Sequence, residues 1–393
     1  MTSTLLSNAK QIVTNSSGSK YQLDLVEDSS MLIENGTVKW IGSNEEAPSA
    51  DEIIDCTDKI VIPGFVDSHT HLIFGGDRSA EFAARMAGES YSAGGINFTV
   101  EKTRSASDEE LRANAMQLIA EMYSSGTTHF EIKSGYGLTA EDELRSLEIA
   151  REFTEEVTLM AAHVVPKEFE GNRSEYIDLI VEDMLPSALG IAKFVDVFCE
   201  TGAFSLEESK QILEAAKALG FKTKIHANQL AQSNSLQLAQ EIGVVSADHV
   251  TYFTDEDIKE LAESNIVATL LPATEFSTNA SYPDAKRLIN AGVTVAIATN
   301  CNPGSSFTTS IPFCIAIAVR EMNFSIEEAI WAATKGGALA LGDNSRGSLQ
   351  VGGKADFAIL DAPSYVHLAY RPGVNVVNTT YKNGKVVFSK GGK

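Results

Sequence analysis

The chain has 393 residues, with 31 Lys and Arg against 53 Asp and Glu and a formal net charge of −22. That length suits one large α/β unit plus a small satellite domain, and so acidic a composition argues against nucleic acid as a partner, because phosphates need clustered Lys and Arg. No run approaches the roughly 18 consecutive apolar residues of a membrane span, and no basic-then-apolar leader opens the chain, so a cytoplasmic protein with no membrane partner is expected.

In chain order, the first feature is a pair of β-rich runs around Asn35-Gly36, between Met31 and Ile41, which predicts a hairpin with a type I′ turn. The C-terminal end repeats the device around Asn383-Gly384, between Thr379 and Phe388. Residues 1–62 and 346–393 are therefore expected to form one small β-sandwich domain, since chain ends often lie close together. Between them, eight short apolar runs alternate with helical patterns, the signature of a parallel sheet with crossover helices. The runs cover 60–66, 127–133, 157–163, 194–200, 222–226, 246–249, 266–271 and 294–300. Amphipathic helices are predicted over 206–219 and 254–263, the second opening on a Thr254 cap. Eight strands close a (β/α)8 TIM barrel, here over residues 63–345. A long insertion after the first strand, 72–107, carries Gly75-Gly76 and Gly94-Gly95. Such a loop either lines the substrate or is a plain surface loop. Cys56, Cys199, Cys301 and Cys314 are widely spread without a Cys-x-x-Cys pair, which indicates neither a disulfide framework nor a zinc ribbon.

The seven histidines are the strongest physical clue. His69 and His71 follow strand one, His163 ends strand three, His226 ends strand five and His249 ends strand six. Those strand ends are where barrel enzymes place their catalytic groups. Two imidazoles separated by one residue on a strand project to the same side and can bind one ion, and neutral imidazole suits Zn2+ or Fe2+. His367 lies in the terminal region, and His129 reads as a core residue or one facing a helix.

The segment Pro63-Gly-Phe-Val-Asp-Ser-His-Thr-His71, with the later strand-end histidines, resembles the amidohydrolase superfamily. Six further blocks narrow the likeness: Phe74-Gly-Gly-Asp-Arg78, Glu131-Ile-Lys-Ser-Gly-Tyr-Gly-Leu138, Ala162-His-Val-Val-Pro166, His226-Ala-Asn-Gln229, Ser246-Ala-Asp-His249 and Asn302-Pro-Gly-Ser-Ser306. In that order, and with the region from Ala362 to Gly373, they are similar to the imidazolonepropionase family of histidine degradation. The resemblance implies hydrolytic opening of the ring of imidazolone propionate to N-formimino-L-glutamate, with a metal-activated water as nucleophile. It implies one divalent ion, Zn2+ or Fe2+, held by His69, His71, His226 and the residue at 300. His249 is then the base, with Gln229 and Asn300 at neighbouring catalytic positions. Arg78 would take the substrate carboxylate in its planar fork, while Tyr136, His163, Gln229, Asn302, Gly304 and Ser305 would line the substrate. A homodimer is implied as well. Relatives with two metals bridge them through a lysine on strand four, whereas this strand ends Phe198-Cys-Glu200; Lys133, on strand two, reads as a structural ion-pair partner.

The chain departs from that pattern in three places. The family ends strand eight with Asp where this chain has Asn300, and many relatives carry Glu where it has Gln229. An amide offers a neutral oxygen and accepts no proton near pH 7, so slower turnover is expected. The segment around Tyr91 is shorter than the family's, which leaves Tyr91 without an assigned role. Two other readings stay open on the residues alone: a deaminase or other amidohydrolase of a heterocycle, which has no evident use for Arg78, and a weakened metal-binding relative that acts as a binding protein.

Overall fold

The computed structural model describes residues 3–88 and 95–391; Tyr91 and Gly94 lie outside them. Both expected hairpins form. β1 (Ser3–Val13) pairs antiparallel with β2 (Leu25–Glu34), and β2 with β3 (Thr37–Ser43) across Asn35 and Gly36, whose φ values of 51° and 73° fit the type I′ turn. β4 (Glu52–Asp55) and β5 (Ile60–Pro63) run parallel to β1. The C-terminal strands β15 (Phe357–Leu360), β16 (Val377–Lys382) and β17 (Lys385–Ser389) then add on through β15 against β5. Both ends of the chain thus fuse into one continuous eight-stranded sheet. Alternate residues of these strands, including Leu6, Ile12, Met31, Val61, Phe357 and Ile359, close a small apolar core of their own.

The middle of the chain supplies β6 (Phe65–Asp67), β7 (Thr127–Phe130), β8 (Ile132–Lys133), β9 (Val157–Ala162), β10 (Phe194–Cys199), β11 (Lys222–Ala227), β12 (Ser246–His249), β13 (Val267–Leu270) and β14 (Thr294–Ile297). The strands from β8 to β14 form a parallel sheet in sequence order, and β6 pairs parallel with β7. β7 and β8 are two halves of one run, interrupted at Glu131. Residues just past β6 tie both edges together: Lys133 N–H donates to Thr70 O (2.8 Å) on one side, and Asn300 N–H to His69 O (3.0 Å) and His71 N–H to Cys301 O (2.9 Å) on the other.

Two expectations change here. The first run does not form one strand, because 60–63 joins the terminal sheet and only 65–67 joins the parallel one. Gly64, between them, lets the chain turn against strand two: a Cβ there would lie 2.3 Å from the Thr128 side chain. The insertion is not a bare loop either. It contains α1 (Ser79–Met86) and α2 (Ile96–Ser105). The helix Asp255–Ala262 begins with the expected Thr254 capping box. Among the described residues, no helix is long and apolar enough to cross a membrane.

Candidate active site

The strand ends on one face converge on a narrow cavity lined by His71, Arg78, Ile96, Tyr136, His163, Phe198, His226, Gln229, His249, Asn300, Asn302 and Ser305. His69 lies just behind His71, wholly buried. Periodicity explains the convergence, since successive strand residues alternate in direction and those at the ends reach into the common mouth.

The histidines form a dense cluster. His69 Nε2 and His71 Nε2 are 3.3 Å apart. Nδ1 of His69 lies 2.6 Å from Asp248 Oδ2, so the proton sits on Nδ1 and Nε2 is left as a bare acceptor. The two nitrogens are within hydrogen-bond reach of each other, and the spacing also suits a shared cation, since ligands about 2.0–2.1 Å from a tetrahedral ion stand roughly 3.4 Å from each other. His69, His226 and His249 each offer a ligand atom within 4.8 Å of the others'. Nδ1 of His71 and His249 is buried without a hydrogen-bond partner, polar atoms that a bound group would satisfy, whereas Nδ1 of His226 faces Asp196 Oδ2 at 3.1 Å. Burial drives the pKa of His69, His71 and His249 well below the ordinary imidazole range, with neighbouring imidazoles and, most directly for His69, Lys133 adding to it. These rings are neutral at pH 7, the form that ligates metal. The donor set therefore fits a divalent cation.

Strain marks the same place. His249 has φ of 77° and the β-branched Val250 has 47°, a conformation such a residue rarely adopts. This turn at the end of β12 aims His249 into the cavity. Asn300 has φ of 53°, which Asn tolerates better than most residues. Its Nδ2 donates to Thr274 Oγ1 (2.9 Å), so what remains for the cavity is a neutral amide oxygen.

The other end of the cavity is made by loops. Arg78 is 5% exposed, and its Nε and Nη2 both donate to Glu81 at 2.7 Å. Its guanidinium passes between two glycines: a Cβ on Gly304 would lie 2.1 Å from Nη1, and one on Gly95 would lie 2.2 Å from Nη2. Gly304 thus makes room for Arg78. Glu81 also reaches Arg85 (3.1 Å), whose Nη2 donates to Gly304 O (2.8 Å). The Asn302 side chain is spent on its own loop: Oδ1 accepts from Gly304 N–H and Ser305 N–H (both 2.8 Å), and Nδ2 donates to Asn300 O (2.7 Å) and Ser305 Oγ (3.0 Å).

Between the two ends stand Tyr136 and His163, with ring centroids 5.3 Å apart. His163 Nδ1–H donates to Gly135 O (2.9 Å), and burial lowers its pKa to about 4, leaving a neutral ring whose Nε2 can accept. The Tyr136 loop is held by Glu143, a residue sequence reasoning passed over. Its carboxylate accepts from Gly135 N–H (3.1 Å), Gly137 N–H (2.8 Å) and Leu138 N–H (2.7 Å).

Also overlooked is the charge beneath the histidines. Glu131, Lys133, Asp196, Lys224 and Asp248 are all wholly buried. Lys133 Nζ lies 2.6 Å from Asp196, 3.0 Å from Glu131 and 3.5 Å from Asp248, which makes it the ion-pair partner expected. Lys224 Nζ reaches Glu131 (3.0 Å) and Ser68 O (2.9 Å). Burial would lower the pKa of Lys133, but its three carboxylates outweigh that and raise it. A sequence signal existed: charged residues placed two apart inside short apolar strands, as in Glu131-Ile-Lys133, must face a buried interior. His129, on β7, is buried at 3.3 Å from Glu156 and takes no part in the cavity.

A parallel α/β sheet whose strand ends gather neutral histidines defines the class of metal-dependent hydrolases, and the Amidohydrolase family profile matches residues 60–387. The chain is 54% identical to the imidazolonepropionase of Mycolicibacterium smegmatis over 99% of its own length and 98% of that protein's, and 53% identical to that of Salinispora tropica over 98% of both. It belongs to the amidohydrolase family and, within it, to the imidazolonepropionases. The atrazine chlorohydrolase of Arthrobacter aurescens, solved in complex with zinc, superposes with a TM-score of 0.74 at 18% identity, over 98% of this chain and 95% of that one.

Proposed function

We propose that the chain hydrolyses 4-imidazolone-5-propanoate to N-formimino-L-glutamate, on a (β/α)8 barrel of residues 63–345 with a small β domain from 1–62 and 346–393. The bonds that tie both edges of the parallel sheet through residues 69–71 support the closed barrel. The observation that carries the activity is a single cavity with two unlike ends, a neutral histidine cluster and a buried arginine, lined by one set of residues. The substrate has the same two ends, a cyclic amide and a carboxylate.

In this reading His69, His71, His226 and Asn300 hold one ion, Zn2+ or Fe2+. When bound, it supplies Lewis acidity that lowers the pKa of water and draws charge from the ring carbonyl. Arg78 fixes the propionate by a charge-assisted pair. Tyr136 and His163 flank the ring, with His163 Nε2 accepting from a ring N–H, and Gln229 and Ser305 offer further polar atoms. His249 accepts the water's proton and returns it to the leaving ring nitrogen. Asn300 cannot share that task, which places the whole proton transfer on His249. A cytoplasmic homodimer is the assembly this reading carries with it.

The test is to add freshly generated imidazolone propionate to metal-analysed protein and follow the loss of its ultraviolet absorbance. Stoichiometric formation of formiminoglutamate is expected. Ammonia release without ring opening would instead mark a deaminase, and no turnover at full metal loading would mark a binding protein.

A further inference from the structure

We infer that Lys133 is a positioning residue that holds the metal-binding His226 through Asp196, while its longer contact to Asp248 only backs His69, which Ser246 and Asp248 keep in place without it. This rests on the reading that the histidines bind an ion, and the experiment below separates the two. Lys133 on β8, Asp196 on β10 and Asp248 on β12 come from three different strands, yet one ammonium spans them. The aspartate oxygens it approaches are those that meet the imidazoles. Asp248 Oδ2 lies 3.5 Å from Lys133 Nζ and 2.6 Å from His69 Nδ1; Asp196 Oδ2 lies 2.6 Å from Nζ and 3.1 Å from His226 Nδ1. The His226 contact is within ion-pair range but off the line of a hydrogen bond, since Nδ1 has no bonded partner.

Asp196 depends on Lys133 most. Its other oxygen, Oδ1, is buried without a hydrogen-bond partner, so the ammonium is its sole hydrogen-bonded anchor among the described residues. Asp248 has a second hold, because Ser246 Oγ donates to its Oδ1. Remove the ammonium, and three buried carboxylates share only Lys224, so Asp196 is free to rotate away from His226. That rotation releases His226. A carboxylate behind a ligating imidazole fixes the ring's orientation and tautomer and raises its basicity, and losing such a partner weakens metal binding about 10- to 100-fold. A buried ion cluster can be replaced by apolar residues without loss of stability, so stability alone does not account for one placed against the ligands.

The test uses the full-length apoprotein and two variants. Lys133→Met strands the carboxylates and can prevent folding, so Lys133→Met combined with Glu131→Gln keeps the buried net charge unchanged. Arg346→Met, which breaks the buried Arg346–Asp356 pair (2.5 Å) in the loops that lead into β15, reports what loss of stability alone does. Zn2+ affinity is measured by competition with a chelating dye, and imidazole tautomers by long-range 1H–15N spectra of the metal-free protein. The charge-balanced variant is expected to bind Zn2+ about 10- to 100-fold more weakly than the parent, with Arg346→Met within about threefold of it. The His226 ring nitrogens should move and His69 should stay protonated on Nδ1. Parental affinity in a folded balanced variant overturns the inference, and failure of that variant to fold overturns it too, by making Lys133 a folding residue. A parent that binds no Zn2+ overturns the metal reading itself.

Discussion

The two ends of the cavity are built by different means. At the histidine end, every side chain of the cluster stands at or just past a strand end, and the charges behind it are wholly buried. At the arginine end, Arg78 sits in the insertion at the start of α1, between glycines from two loops, and its partner Glu81 is 31% exposed. In the function proposed above, the difference separates chemistry from recognition. Strands hold reacting groups to a fixed geometry, while loops can be changed to suit the substrate.

The largest effect should come from the strand end. Replacing His226 with Ala is expected to leave less than about a tenth of the metal and to lower turnover roughly 1000-fold or more; elemental analysis and the absorbance assay measure both. At the loop end the response should differ in kind. Arg78→Lys keeps the charge and loses the fork, so KM for imidazolone propionate should rise about 10- to 100-fold with metal content unchanged. A drop in metal content instead would mean that the two ends are not independent. Gly304→Ala should act in the same direction by roughly tenfold, because its Cβ would displace Arg78 rather than touch any histidine.

Asn300→Asp probes the chemistry within the strand end. It should raise kcat/KM at least about tenfold at equal metal content, since it restores an anionic oxygen and a second proton acceptor; equal values for the two purified forms would refute it. The smallest effect concerns stability. Burial raises the pKa of Glu275 to about 7, only partly offset by its bond from Thr251. The unfolded value is near 4.3, so the folded state holds the extra proton between the two, and stability falls as pH rises from about 4.3 to about 7. Glu275→Gln should therefore flatten that slope and raise Tm at pH 8 relative to pH 5, measured by thermal melts across the range.

Much of the site was legible. His69, His71, His226 and His249 could be read as a cluster because a strand has period two and parallel strands bring their C-terminal ends to one face. The capped helix at Thr254 and both Asn-Gly turns were readable because their signals are local. Glu81, Gly95 and Glu143 were not readable in their roles. Each acts by proximity to a group, such as the Arg78 guanidinium or the Tyr136 loop, whose position only the folded chain decides. The first strand was misdrawn for the opposite reason. The run 60–66 is apolar and β-branched or aromatic throughout except at Pro63-Gly64, and that pair alone marks where it passes from one sheet to the other.

By itself, the sequence determined which groups could do chemistry: neutral imidazoles at strand ends, an arginine fork near the first of them, and an amide where a carboxylate was expected. Tertiary structure alone decided what holds them. Lys133 meets Asp196 and Asp248 across 63 and 115 residues of chain, and the terminal strands meet through β5 and β15 across nearly 300. Periodicity and capping are properties of neighbouring residues and survive in the linear string. Charge pairing beneath a parallel sheet depends on which strands lie near one another, and that is settled only when the chain folds.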